Sequence, residues 1–263
     1  MSGIDISAIL ISVSFLILAL IVVKKEKLEL EKELILAGAA AFIQLMILGL
    51  VVDIIFNLDV IYSFLMVFVM IAVASLVISK NLKIKKNGKR IVKYKIFTYT
   101  FISLFILSII SLLILNLSGI IEPEPVFIIP FIGIIVGNTT NGISLSLKGL
   151  LNEFKSNENI LHGYLALGAT DRQASKPFIR KSINSAMIPQ LNTLQTTGII
   201  FIPGAMVGLL LGGMDPLYAA TIQIVIMWMI VSSSIVASAL ACNLLHRTLI
   251  YNMGSFEVME HCS

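Results

Sequence analysis

The sequence predicts an all-α, polytopic integral membrane protein of about seven transmembrane helices, N-terminus outside and C-terminus cytoplasmic. Three observations carry that prediction. Hydrophobic residues make up 57% of the 263 and charged residues 13%, with a mean hydropathy of +0.98; soluble domains hold roughly 45–50% apolar residues. The apolar residues fall into runs near the roughly 20 residues that a bilayer core requires. Lipid offers backbone polar groups no partner, so runs of this kind fold as helices. Finally, all 19 Lys and Arg residues lie in alternate connections, as they do in cytoplasmic loops.

The elements follow in order. The first run, 6–23, has no basic segment ahead of it and is expected to be retained rather than cleaved as a signal peptide. KKEKLELEKE (24–33) consists of strong helix formers, with Lys25/Glu29 and Lys27/Glu31 at i,i+4 spacing. It is predicted to extend the second run, 34–52, into the cytosol as helix, either as a solvated extension or as a partner surface. The third run, 60–79, leads into a loop from Lys80 to Lys95 without an acidic residue. The fourth, fifth, sixth and seventh runs are 96–117, 126–147, 188–211 and 217–245. Outer connections are short and hold Asp59, Glu122, Glu124 and Asp215.

Residues 1–263 therefore read as one transmembrane domain in the cell membrane, with a polar cytoplasmic segment at about 148–187. The net charge of +4 suits anionic lipid headgroups at the cytosolic rim and requires no nucleic acid. No cofactor is implied. Cys242 and Cys262 show no pairing pattern, and His261-Cys262 is a minimal metal-binding pair in the tail.

The polar segment has internal order. Residues 151–159 read as helix ending in a polar turn. Thr170 and Gln173 fit a capping box, in which hydroxyl and amide satisfy free N–H groups reciprocally. A helix is expected to start at Thr170 and to run about two turns before Pro177 breaks it. Gly168 just before it permits a positive φ or a close backbone approach. The result is a compact cytosolic knob, suited either to a groove on a soluble partner or to the lipid surface, which Lys176, Arg180 and Lys181 would favour.

Several stretches resemble one family. KEKLELEK (25–32), IQL (43–45), PFIGIIVGN (130–138), LGATDRQA (167–174), IRKSINSAMIP (179–189), PGAMVG (203–208) and GMDPLYA (213–219) are similar, in order and spacing, to the bacterial iron-export ABC permease family, which includes the plant aluminium-tolerance permease. The resemblance implies a homodimeric export permease linked to iron or metal homeostasis and driven by a separate ABC ATPase subunit. It also implies ATPase docking through Ala166, Leu167, Gly168, Ala169, Thr170, Asp171, Arg172 and Gln173. The sequence contains no G-x-x-x-x-G-K-[ST] phosphate loop, so ATP hydrolysis is expected in another chain and this one is expected to be no enzyme. The wider ABC-permease motif opens with Glu-Ala-Ala, where His162, Gly163 and Tyr164 stand here.

Polar residues within the apolar runs offer a path. Asn138 and Asn141 are three apart, and Asn192, Gln195 and Thr196 repeat the spacing in the sixth run. Each set either lines a translocation path or bonds helix to helix; Gln44 and Gln223 are candidate members. Gly204, Gly208 and Gly212, and Gly133 with Gly137, are spaced for close helix packing, and Pro203 marks a kink or hinge. Met187, Met206, Met214, Met227 and Met229 are thioether candidates for a metal, though Met is commonly core filler. No run holds a carboxylate; Asp53 stands at the outer end of the second. Hard cations prefer carboxylate oxygen, so the residues fit a chelated metal, a neutral solute or a nucleotide sugar as readily as a bare ion. A non-transporting membrane scaffold and a self-contained channel are the other readings.

Overall fold

The structure is a computed structural model describing residues 6–56, 60–82, 90–119 and 124–252, with helices as the only extended elements among them. Residues 57–59, 83–89 (with Asn87), 120–123 (with Glu122) and the tail holding His261 and Cys262 lie outside the described residues, as does the Asp53 side chain.

Two units are recognised, divided at residue 59. The first pairs α1 (Ile6–Lys25) with α2 (Glu31–Phe56). The two meet at Gly38, where a Cβ would lie 3.4 Å from Leu16 Cδ1. The stretch between them corrects the expected helix extension. Lys27 and Glu29 take left-handed φ values of 52° and 55°, which no helix continues through. The charges serve the helix ends instead. Lys24 and Lys25 close α1, and Glu31 and Glu33 open α2, each sign opposing the adjacent helix dipole.

The second unit contains α3 (Val60–Asn81), α4 (Arg90–Leu117), α5 (Pro125–Ser156), α6 (Glu158–Ala166), α7 (Asp171–Thr196), α8 (Gly204–Leu211) and α9 (Pro216–Tyr251). Its core is built on α5. Ile132, Ile143, Leu147, Leu150 and Phe154 are fully buried there, against α3, α4, α7 and α9. Small residues set the spacing. At Gly142 a Cβ would meet Met187 Cε, Gln190 Nε2 and Ser234 Cβ, all at 3.2 Å, and at Gly149 it would meet Ser182 Cβ at 3.3 Å. These contacts pair rising numbers on α5 with falling numbers on α7, so the two helices are antiparallel. The C-terminal ends of α5 and α9 and the first half of α7 thus share one end of the unit. That end carries Lys148, Lys155, Arg172, Lys176, Arg180, Lys181 and Arg247.

Among the described residues five helices are long and apolar enough to cross a membrane: Glu31–Val52, Val60–Asn81, Ile91–Leu117, Pro125–Ser156 and Pro216–Tyr251. The polytopic all-α class holds. The run at 188–211 departs from a single helix, because it is divided between the end of α7, a break at 197–203 and the eight-residue α8. In the break Gly198 takes a φ of +82° and its N–H donates to the Phe201 carbonyl at 2.9 Å.

A second correction concerns α7. It starts where the capping box places it, but it runs 26 residues straight through Pro177 and Pro189. Pro177 removes the hydrogen bond to the Gln173 carbonyl, and both residues are exposed. Both thus lie on the exposed face of α7, where the loss of one ladder hydrogen bond costs less than in the core.

Candidate functional site

Two features of the second unit are candidates. The first is the corner between α6 and α7. Leu167 caps α6, and Gly168 reverses the chain at φ +87°, a conformation that costs an L side chain strain. Ala169 N–H donates to the Tyr164 carbonyl at 3.0 Å, closing the turn. Thr170 then starts α7. Its hydroxyl accepts from Gln173 N–H at 3.3 Å, and its own N–H donates to Gln173 Oε1 at 2.9 Å. Thr170→Ala is expected to cost on the order of 1 kcal/mol, read as a small drop in melting temperature with the helix start loosened.

The corner is tied to the bundle from both sides. Arg247 Nε of α9 lies 3.1 Å from Asp171 Oδ2, and the Tyr251 hydroxyl donates to the same carboxylate at 3.3 Å. Lys181 Nζ meets Glu153 Oε1 at 2.8 Å. Below these, Phe154 and Phe178 pack edge-to-face with centroids 5.7 Å apart, and Leu161 and Ala174 are buried. The outward face is apolar. Ile160, Tyr164 and Leu167 follow at helical spacing, and Leu167 is 88% exposed. Of the eight residues expected to dock a partner, Ala166, Leu167, Gly168, Thr170, Arg172 and Gln173 are exposed and Ala169 is half-buried. Asp171 is turned inward to hold the corner. His162 Nε2 lies 3.5 Å from Glu158 Oε1.

The second feature is a half-open cavity of about 370 Å³ beside the break between α7 and α8, lined by Asn138, Gln190, Thr193, Gly204, Gln223 and Met227 among others. Here the structure rearranges the expected polar seam. Asn138 lines the cavity, whereas Asn141, Asn192 and Gln195 are exposed elsewhere. Thr196 is half-buried and bonds back to the Asn192 carbonyl at 2.9 Å. Gln44 belongs to α2 in the first unit. The residues that α7 brings to the cavity are Gln190 and Thr193, themselves three apart. Choosing the face one register earlier would have found them. Gln190 Nε2 donates to the Asn138 carbonyl at 3.1 Å.

The glycines separate similarly. Gly133 abuts α3, since a Cβ there would lie 2.9 Å from Met70 Cε. Gly137, Gly204 and Gly208 have no neighbour within 4 Å of a Cβ, and Gly212 meets only its own turn. Gly142 and Gly149, outside the expected pairs, also sit in close helix contacts.

The family described as "Uncharacterised protein family (UPF0014)" matches residues 6–250. The chain belongs to this family. Over 239 residues it is 33% identical to the probable iron export permease protein FetB of Escherichia coli (strain K12), covering 90% of this chain and 89% of that one. It is 31% identical to the protein ALUMINUM SENSITIVE 3 of Arabidopsis thaliana over 84% of this chain and 79% of that one. Identity to the UPF0014 membrane protein YjkA of Bacillus subtilis (strain 168) is 31%, over 92% of each. No solved structure matches. This UPF0014 chain is thus a multi-pass membrane protein of a permease family, and the resemblance of the quoted stretches is borne out.

Proposed function

We propose that the chain is the membrane-spanning subunit of an ATP-driven exporter, acting as a homodimer with a separate ABC ATPase subunit and serving iron or metal homeostasis. The observation that carries this reading is the α6–α7 corner. It presents an apolar tip at Leu167 on a turn anchored to α9 and α5 by Asp171–Arg247 and Lys181–Glu153. A protruding apolar residue on a braced turn suits insertion into a groove of a soluble partner, and the packed Phe154–Phe178 junction passes its displacement to the long helices. The similarity to a probable iron export permease supports the cargo class.

In this reading α7 and α8 together form the sixth of seven crossings. The basic end of the second unit faces the cytosol and the N-terminus lies outside. A cysteine at Asn157 should then resist an impermeant thiol reagent in intact cells, while one at Glu122 reacts; external labelling at Asn157 overturns the orientation. Docking is tested by copurification of the ATPase. Gly168→Leu strains the positive-φ turn and Leu167→Asp charges the tip. Both are expected to abolish pairing at least tenfold in yield while leaving membrane insertion unchanged, and wild-type pairing in both removes the corner from the interface. A second reading, export of a non-metal solute, is favoured by the half-open cavity, where no charged side chain appears among the lining residues.

A further inference from the structure

The cavity beside the α7–α8 break combines two kinds of unmet hydrogen-bonding capacity. On one side are side-chain amides and a hydroxyl. Gln223 is 4% exposed, and its Oε1 has no partner. Gln190 spends its amide nitrogen on the Asn138 carbonyl, leaving a buried Oε1 without a partner. Asn138 gives its own amide nitrogen to the Ile134 carbonyl at 2.8 Å, and Thr193 donates its proton to the Pro189 carbonyl at 2.9 Å. Both glutamine oxygens are closed off, so the groups that face the cavity are the unpaired Gln223 amide nitrogen, a donor, and the oxygens of Asn138 and Thr193, which are left as acceptors. On the other side are donors. Gly204 and Ala205 line the cavity at the start of α8, whose N-cap residue, Pro203, provides no side-chain cap. First-turn N–H groups lack intrahelical acceptors and carry the positive end of the helix dipole.

This inventory selects a ligand. One partial positive end, with no lining Lys or Arg, matches a single negative charge. The acceptors at Asn138 and Thr193 and the donor at Gln223, in an otherwise apolar wall, match hydroxyl groups, which both donate and accept, since a purely hydrocarbon occupant leaves each of them unpaired. A bare hard cation is poorly served, because it prefers carboxylates and no group of three His, Cys, Asp or Glu side chains occurs among the described residues. The volume suits a small molecule. A broken helix at a cavity within a membrane bundle is also where transporters place anionic substrate groups.

We propose that this cavity binds a small hydroxylated organic monoanion, its carboxylate at the N-terminus of α8 and its hydroxyls accepting from the Gln223 amide and donating to Asn138. The anion enters free or as the ligand of a metal ion, with the same recognition in both cases. That it is the exported species rests on the permease reading; that it binds does not.

The test is calorimetry on the full chain in lipid nanodiscs with gluconate, hexanoate and sorbitol, which hold charge and hydroxyls, charge alone and hydroxyls alone. Gluconate is expected to bind at least tenfold more tightly than either of the others. Gln223→Leu should weaken gluconate at least tenfold while raising the melting temperature of the ligand-free protein, since an unpaired buried oxygen is removed. Gly204→Pro keeps the helix start, because proline fits the first helical position and a Cβ there meets nothing within 4 Å. It removes one N–H and should cost gluconate several-fold without altering sorbitol. Ferrous ion added with gluconate distinguishes the sources: tighter binding assigns the chelate and unchanged binding assigns the free anion, both within the proposal. Absence of gluconate binding, equal binding of all three probes, binding of ferrous ion alone, or a Gln223→Leu protein that binds gluconate normally overturns it. A chain that binds gluconate but never pairs with an ATPase defeats the permease reading alone; one that pairs but does not bind gluconate defeats this site alone.

Discussion

Phe154→Ala is expected to lower unfolding free energy by about 3–5 kcal/mol and to abolish ATPase pairing with it. Phe154 is fully buried in the last turns of α5, edge-on to Phe178 of α7 at 5.7 Å. Truncation removes the ring from a junction that also holds Leu161 and Ala174, and leaves a void where α5, α6 and α7 meet. The two flanking ion pairs do not compensate. The Lys181 and Arg247 side chains are 66% and 73% exposed, and solvent-exposed pairs contribute on the order of 0–1 kcal/mol. The corner is therefore held in place chiefly by packing. Phe154→Leu should recover most of the melting temperature and the pairing. A Phe154→Ala protein that melts early yet pairs normally with its ATPase would falsify the assignment of the corner as the docking element.

What was legible in the sequence follows the range of the forces involved. The capping box at Thr170 and the left-handed Gly168 are local, each set by a few adjacent residues, and both appear in the structure as expected. The apolar helices were legible because lipid leaves the backbone no other solution. Pro177 was misjudged because the cost of an internal proline depends on whether it lies on an exposed face, and exposure is a tertiary property. The 24–33 stretch was misjudged for a related reason. Its alternating charges satisfy i,i+4 pairing and helix-end capping equally well, and only the positive φ values at Lys27 and Glu29 decide between them.

The interior polar face shows the same limit. Along α7 the sets Gln190/Thr193 and Asn192/Gln195/Thr196 both have helical spacing, so periodicity alone does not choose. The choice is made by the antiparallel seam with α5. There Gly142 admits Met187 and Gln190 at close range, which turns Gln190 inward and carries Asn192 to the outside. Gly142 has no partner glycine four residues away, so a search for paired small residues passes over it. Its role comes from three side chains that only the fold brings together.

That position carries the second large expected effect. Gly142→Leu places a side chain where even a Cβ would lie 3.2 Å from Gln190 Nε2, Met187 Cε and Ser234 Cβ. Met187 and Gln190 touch it with the ends of flexible chains, but Ser234 touches it with Cβ and is fully buried, so α9 itself must move. Overpacking of this kind costs typically about 1–3 kcal/mol, and with α7 and α9 both displaced the upper end is expected, seen as early melting and reduced yield. Gly142→Ala separates stability from function. Its single methyl is accommodated by swinging Gln190 and Met187 aside and by a shift of a few tenths of an ångström at Ser234, so melting should change much less than in Gly142→Leu. The Gln190–Asn138 hydrogen bond is then broken and the Gln190 side chain no longer holds its place in the cavity wall. Efflux and gluconate binding are expected to fall severalfold in Gly142→Ala, with a further Gln190→Leu change adding little because the two act on the same group. Full additivity of the two substitutions, measured in one protein by binding and by melting, would show that Gly142 acts on packing alone and that Gln190 is oriented by something else.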